Sequence, residues 1–454
     1  MVQSAEPRAR NAQPDTRSEV FDLWPDAPTT VAATRLPGVY LADLVLKTLF
    51  FSGPSTLDVL STRLGLMISV IEEITDHLRA QGLVETQVNP DHAGQSYSVM
   101  AYRLALTNRG ENRTQDVLKR SRYAGLAPVS LEQYTEMALK QSLRRRPATP
   151  AQIQQALEPF VLRPDVRETV ARTFHSGRAA LIYGETGNGK TSLIDAYARS
   201  FGDCVLMPGA LYLGGQTVRI YDAAVHRLAD VRPPASAAGG LLKSDQRSLD
   251  RRWLAVRRPV VVVGGELTAQ DLELNFDQIA GFYLAPPHLK AQDGIFVIDD
   301  FGRQQVSPAE LLNRWIVPLE QGYDLLTLVT GEKVRVPFEI SVLFSTNLAP
   351  QDLADEAFLR RIPYKVRLPG PGEEELAEIA RRECRQREIE WDEMGIQALV
   401  DAIFSAGRPT AKAVYPRDIL TIIEDGARWS GQKARLTPEA IEEACRCYFL
   451  MEDL

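Results

Sequence analysis

Residues 184–191 read Gly-Glu-Thr-Gly-Asn-Gly-Lys-Thr, between the apolar run Ala180-Leu181-Ile182-Tyr183 and the helix-like Ser192-Leu193-Ile194-Asp195-Ala196. A strand, a G-x-x-x-x-G-K-T loop and a helix in that order form the arrangement a phosphate cradle requires. The glycines let the backbone curl until successive N–H groups face the phosphates, and the positive end of the following helix adds to that field. Gly184, Glu185, Thr186, Gly187, Asn188, Gly189, Lys190, Thr191 and Ser192 are therefore the expected nucleotide-binding residues. Within them Lys190 reaches the β/γ-phosphates and Thr191 places its hydroxyl on Mg²⁺. A glycine-rich turn that merely caps a helix is the plain alternative. The pattern arises by chance in only about one or two chains per hundred of this length, which argues against it.

Downstream, Gly294-Ile295-Phe296-Val297-Ile298-Asp299-Asp300 supplies four apolar residues, enough for a central parallel strand, followed by two aspartates. Asp299 is expected in the outer shell of the Mg²⁺, and Asp300 is expected to orient or polarise the attacking water. A surface turn before Phe301-Gly302 is the competing reading. A third strand, Ile340 to Asn347, ends in a polar residue, and Leu353 to Ile362 leads into a further short strand.

A chain of 454 residues predicts two or three domains, and a net charge of −7 disfavours a surface built for nucleic acid. No apolar run approaches the length of a membrane span, and Met1 to Arg17 has no signal-like apolar core, so a cytoplasmic protein is expected. Cys204, Cys384, Cys445 and Cys447 form no ligand set and read as reduced structural thiols. Residues 1–36 read as a flexible arm in which Val20-Phe21-Asp22-Leu23-Trp24 is able to dock. Residues 37–112 show three helical stripes, then a hairpin through Asn89 to Gly94 and Tyr97 to Tyr102, an order that resembles a winged helix. Five basic against eight acidic side chains in that unit oppose phosphate neutralisation, with Glu72, Glu73 and Asp76 on its third helix. A protein-contacting module is favoured there over DNA readout. Residues 113–147 read as a basic linker by default; arginines entering a neighbouring subunit's nucleotide site, or touching nucleic acid, are minority readings.

The phosphate loop, the apolar strand ending in Asp299-Asp300, the Ser345-Thr346-Asn347 strand end, the pair Arg360-Arg361 and Tyr415-Pro416-Arg417-Asp418 occur in one order. In that order the chain resembles the AAA+ ATPases over about residues 148–454. The resemblance implies an α/β P-loop NTPase fold: a parallel αβα sandwich over 148–370, an all-helical lid over 371–454, and the winged-helix-like α+β domain ahead of them. It implies that Asn347 is the first sensor, that Arg360 or Arg361 is the finger entering a neighbour's site, and that Arg417 is the second sensor. An ion pair with Asp355 or Glu356 is the alternative for the arginine pair. ATP and Mg²⁺ are the implied cofactors, and ATP hydrolysis by a homo-oligomeric ring, by resemblance a hexamer, is the implied activity.

The run from Leu325 to Phe338, apolar on either side of Thr330-Gly331-Glu332-Lys333, reads as a hairpin placed before the first-sensor strand. It is similar there to the MoxR-like ATPases and the bacterial enhancer-binding proteins. Val263 to Leu284 occupies the place of their helix-2 insert, so Phe276, Phe282 and Tyr283 are either client contacts or, the favoured reading, core. Asp300 stands where most relatives carry Glu. A Gly-Ala-Phe-Thr-Gly-Ala loop is absent. An Ala/Pro/Gly-bearing piece follows Arg232, and Ser248-Leu249-Asp250-Arg251-Arg252-Trp253 reads as an interaction patch or a helix surface. The expectation is an ATP-driven remodelling motor acting on a protein client. The alternatives are a DNA-associated ATP-dependent regulator or defence factor, and a nucleotide-gated scaffold with little turnover.

Overall fold

The computed structural model describes residues 16–88, 102–231, 248–353, 359–405 and 411–449. The hairpin loop Asn89–Gly94, residues Tyr97 to Ala101, the piece after Arg232, and Asp355 and Glu356 lie outside the described residues.

Five short apolar runs pair in parallel: β1 (Ala180–Tyr183), β2 (Val260–Val263), β3 (Ile295–Ile298), β4 (Ser341–Thr346) and β5 (Tyr364–Arg367). Their order across the sheet is β5-β1-β4-β3-β2. Alternate side chains on each strand point to opposite faces. On one face Ala180, Ile182, Ile295, Val297, Leu343 and Val366 pack beneath the helices Pro150–Leu157, Pro164–Ser176 and Lys190–Ser200. On the other, Leu181, Phe296, Ile298, Val342 and Phe344 meet Leu311, Leu312 and Trp315 of the helix Pro308–Gln321. The result is the expected α/β sandwich, followed by a helical C-terminal region.

That region packs the helices Glu373–Arg387, Glu393–Ser405, Tyr415–Ser430 and Pro438–Phe449 around their own core. Pro416 opens the third of these, and Thr437 caps the fourth by accepting from the Ala440 amide at 3.3 Å. The four cysteines are free, and burial pushes the Cys384 and Cys445 thiols up to about 11, so both stay protonated. Among the described residues no helix is long and apolar enough to cross a membrane.

Ahead of the sandwich, the helices Gly38–Ser52, Leu57–Leu64 and Ile68–Ala80 precede an antiparallel pair, Val84–Val88 with Tyr102–Leu106. A second, mixed sheet has the order Asn275–Asp277, Phe282–Leu284, Gln216–Arg219, Ala210–Leu213, Val129–Ser130; its first four strands fall between β1 and β3 in sequence and its last precedes β1. The hairpin Tyr323–Thr327 with Lys333–Pro337 forms as expected, and its Leu326, Leu328, Val334 and Val336 join the core beneath that sheet.

Three expectations change here. Residues 113–147 are not a solvated linker. A Ser130–Gln133 capping box starts the helix Leu131–Gln141, and its Tyr134, Met137 and Ala138 are buried while the charges face out. Part of the N-terminal arm is docked: Val20 lies in the same core as Leu206 and Trp253, and Trp24 Nε1 donates to the Asp250 carbonyl at 2.9 Å. The Ser248–Trp253 segment is not a helix surface, and although Ser248 and Arg251 are exposed, Asp250, Arg252 and Trp253 are buried. Asp250 and Arg252 form a 2.8 Å ion pair with both side chains buried, and Arg252 also donates to the carbonyls of Thr34 and Pro128. Phe276, Phe282 and Tyr283 are core as favoured, Tyr283 fully so.

Candidate functional site

In a parallel sheet, ligands settle beyond the carboxyl ends of the strands, where the strand order reverses. The register puts Tyr183, Thr346 and Arg367 level, and Ile298 level with Val263 and Phe344. The glycine loop, the two aspartates and Asn347 therefore leave the sheet at one edge. A cleft of about 770 Å³ opens there, lined by Gly184, Glu185, Asn188, Asn347 and the β5 exit through Gly372.

The loop curls through left-handed glycines, with φ of 147° at Gly184, 89° at Gly187 and 83° at Gly189. A Cβ at Gly184 would lie 2.2 Å from the Leu368 carbonyl oxygen, so no other residue fits. Lys190 opens the helix behind the loop. Its Nζ donates to the carbonyls of Gly184 at 2.8 Å and Glu185 at 3.0 Å, and to Asn347 Oδ1 at 2.5 Å. Burial lowers its proton affinity, while the charges of Asp300 and Asp299 oppose that shift. Thr186, Thr191 and Ser192 are exposed, and Asn188 is buried. The helical region holds the loop from behind: the Val414 amide donates to the Gly187 carbonyl at 3.0 Å, and the Ala413 amide to Asn188 Oδ1 at 3.3 Å.

The aspartates stand opposite. Thr191 Oγ1 donates to Asp299 Oδ2 at 3.3 Å, and Asn347 Nδ2 donates to Asp300 Oδ1 at 3.3 Å. Thr191, Asp299, Asp300, Asn347 and Lys190 thus occupy one small neighbourhood, with Asn347 bonded to both the cation and a carboxylate. One exposed hydroxyl beside one partly exposed carboxylate is a donor set that suits Mg²⁺. Among the described residues there is no cluster of three or more His, Cys, Asp or Glu that would hold a metal by itself.

The arginines separate. Arg361 forms a 2.7 Å ion pair with Glu320, whereas Arg360 is exposed. Arg417 donates through Nε to Asp418 Oδ1 at 2.9 Å and is not among the residues lining the cleft, although its helix starts just after the segment touching the loop. Sequence reasoning missed Arg163, Arg367 and Phe404, which line the cleft. Arg367 ends β5 in register with Tyr183, a signal readable only once the strand order is known.

A family described as "Domain of unknown function (DUF8689)" matches residues 372–447, within the helical region and less than half of the chain. No curated protein matches by sequence. Among solved structures, NtrX from Brucella abortus is similar at 15% identity and a TM-score of 0.38, over 61% of this chain and 52% of that one, so the chain spans about half its length. NtrX in complex with ATP is similar at 14% identity and a TM-score of 0.38, over 75% of this chain and 61% of that one. The Thermotoga maritima RuvB Holliday junction branch migration motor is similar at 11% identity and a TM-score of 0.37, over 63% and 69% of the two chains. At these TM-scores the likenesses carry no argument about this chain's activity.

Proposed function

We propose that the chain is an AAA+ ATPase that binds ATP with Mg²⁺, hydrolyses it, and works as a homo-oligomeric ring remodelling a protein client. One observation carries the reading: Lys190, Thr191, Asp299, Asp300 and Asn347, taken from three separate stretches of sequence, converge through their hydrogen bonds, and Asn347 among them lines the cleft of about 770 Å³. In the proposed site the loop amides and Lys190 hold the triphosphate. Thr191 and Asp299 would hold the metal, which would neutralise phosphate charge when bound. Asp300 and Asn347 position the lytic water. Arriving phosphate takes over Lys190 from the Gly184 and Glu185 carbonyls, and so releases Asn347 from the ammonium. Arg360, exposed, is the better candidate for the finger reaching a neighbouring subunit, since Arg361 is engaged by Glu320.

The placement of the hairpin Tyr323–Pro337 between β3 and β4 supports a MoxR-like affiliation. A protein-contacting role for residues 37–112 is supported over DNA readout by the exposed acids Glu72, Glu73 and Asp76 of the third helix and by the bonds its N-terminus makes within the chain. A recognition helix presents its N-terminal residues to the groove. In this chain Ser69 Oγ donates to the Thr29 carbonyl, the Val31 amide donates to Glu73, and Ser248 Oγ lies against Met67 Sδ.

The test is steady-state phosphate release with nucleotide binding measured alongside. Wild type is expected to bind MgATP and turn it over, and Lys190→Ala to lose both. Equal, near-zero release by the two proteins despite ATP binding by wild type would replace the motor with a nucleotide-gated scaffold.

A further inference from the structure

The turn that carries the two aspartates has an unusual backbone. Asp300 has φ of 49°, in the left-handed region, and Gly302 follows at φ 105°. Aspartate tolerates that region better than most residues, but other contacts must fix it there. From below, the turn is pinned to β4: the Phe301 amide donates to the Ser345 carbonyl at 2.7 Å, and Thr346 Oγ1 donates to the Phe301 carbonyl at 2.8 Å. Within the turn Asp299 Oδ1 accepts from the Asp300 amide at 3.1 Å and the Arg303 amide donates to the Asp300 carbonyl at 3.0 Å, and one further side chain bridges three of its backbone groups. Gln304 Nε2 donates to the Asp299 carbonyl at 2.9 Å and the Asp300 carbonyl at 3.3 Å, while Gln304 Oε1 accepts from the Gly302 amide at 2.9 Å.

We propose that Gln304 is the positioning residue that fixes the Asp299–Asp300 turn, and with it the direction in which the Asp300 carboxylate meets the lytic water. The claim rests on the ATPase reading of the site. Only a side-chain amide meets both demands of this turn, because one end must donate to two carbonyls while the other accepts an N–H. A carboxylate of the same shape would turn an oxygen toward two carbonyl oxygens and add a third negative charge beside Asp299 and Asp300. Gln304 acts through the backbone only. With the turn loose, Asp300 still carries its charge but samples directions that no longer aim at the water.

The experiment compares wild type, Gln304→Ala and Gln304→Glu as full chains, reading kcat and KM for ATP across pH 5.5 to 8 and hydrogen exchange of the amides of residues 299–303. For Gln304→Ala we expect kcat to fall roughly tenfold or more with KM within about threefold, and those amides to exchange faster. For Gln304→Glu we expect a loss at least as deep, because a carboxylate oxygen replaces the N–H donor facing two carbonyl oxygens. The Gln304→Ala ratio to wild type stays flat over the pH range. A purely structural role would lower melting temperature without the selective loss in kcat. Unchanged kcat in Gln304→Ala, or loss in KM alone, overturns the proposal. If wild type itself hydrolyses nothing, the ATPase reading falls separately, and exchange still decides the point: faster exchange at 299–303 in Gln304→Ala upholds the hold on the turn, and unchanged exchange overturns it.

Discussion

At Lys190 the ammonium is already ringed by oxygens, two carbonyls and the Asn347 amide, before any phosphate arrives. The residues around it therefore divide by what each meets. Asp300 touches Asn347 and neither the loop backbone nor Thr191, so removing its charge should leave binding alone and stop chemistry. For Asp300→Asn we expect ATP affinity within about threefold of wild type and kcat reduced by about 10² or more, read by calorimetry and single-turnover hydrolysis. A different kind of residue-scale effect sits at Lys47, almost wholly buried in the helix Gly38–Ser52. Burial lowers its pKa to about 8, partly opposed by Asp43, whose carboxylate is also paired with Arg113 at 3.1 Å. The unfolded lysine keeps its proton up to the ordinary 10.5, so between pH 8 and 10.5 the unfolded chain binds more protons and stability rises with pH. Lys47→Met is expected to stabilise the protein at pH 7 by up to about 3 kcal/mol, a gain that shrinks toward pH 10.5 in denaturant titrations.

The hairpin Tyr323–Pro337 shows how an element is anchored by groups far apart in sequence. Asp324, at its base, is buried; it accepts from His288 Nε2 at 3.0 Å and from Arg314 Nη1 at 2.5 Å, and Arg314 reaches on to Glu273 at 3.0 Å. Burial alone would raise the Asp324 pKa, but the hydrogen bonds and charges of His288 and Arg314 outweigh it and hold the carboxyl at about 2. A depressed carboxyl stabilises the fold fully above its unfolded pKa, and that contribution disappears as pH falls from about 4 to about 2. Asp324→Asn should cost about 2–4 kcal/mol at pH 7 and flatten the acid limb of the stability curve over that window, measured by urea melts. The hairpin itself was legible in the sequence, because two apolar runs about a Thr-Gly-Glu-Lys turn are a local signal. So were β1, β3 and β4, whose apolar runs end in the chemistry that marks them. The mixed sheet was not, since its strands are two to four residues long and the two parallel pairings that join them, Phe282–Leu284 with Gln216–Arg219 and Val129–Ser130 with Ala210–Leu213, span tens of residues. Arg252 misled for the same reason: its partners Thr34 and Pro128 are remote in sequence, so a buried guanidinium reads locally as surface charge. Residues 113–147 misled because their basic residues Lys119, Arg120, Arg122 and Arg144 to Arg146 flank the helix Leu131–Gln141, whose buried apolar stripe is only Tyr134, Met137 and Ala138.

Across the whole molecule, the N-terminal helices and the mixed sheet are continuous: Ala210 lies in one core with Leu41 and Leu64, and Phe282 packs against it. The hairpin shares the mixed sheet's core, so movement at the β3–β4 edge has a packed route to the N-terminal unit. That coupling becomes a motor only if each site is finished by a neighbour, and the arginine pair makes this testable. Arg361 is bound to Glu320 within its own chain, so Arg361→Ala should lower stability, by about 1 kcal/mol or more because the Arg361 side chain is largely buried, while leaving turnover in place. Arg360→Ala should bind ATP normally and lose turnover by about 10³ or more. Mixing then separates a neighbour's contribution from a local one. Arg360→Ala subunits keep a complete phosphate cradle but offer no finger, and Lys190→Ala subunits keep the finger but no cradle. Each preparation alone should be inert. In rings assembled from equal amounts, about a quarter of the interfaces pair an intact cradle with an intact finger, and turnover should return to a comparable share of wild type. Recovery that depends on total protein concentration locates Arg360 in the adjacent subunit's site. If the mixture stays as inactive as its parts while mixed rings demonstrably form, Arg360 acts within its own chain and the shared-site reading of this protein is wrong.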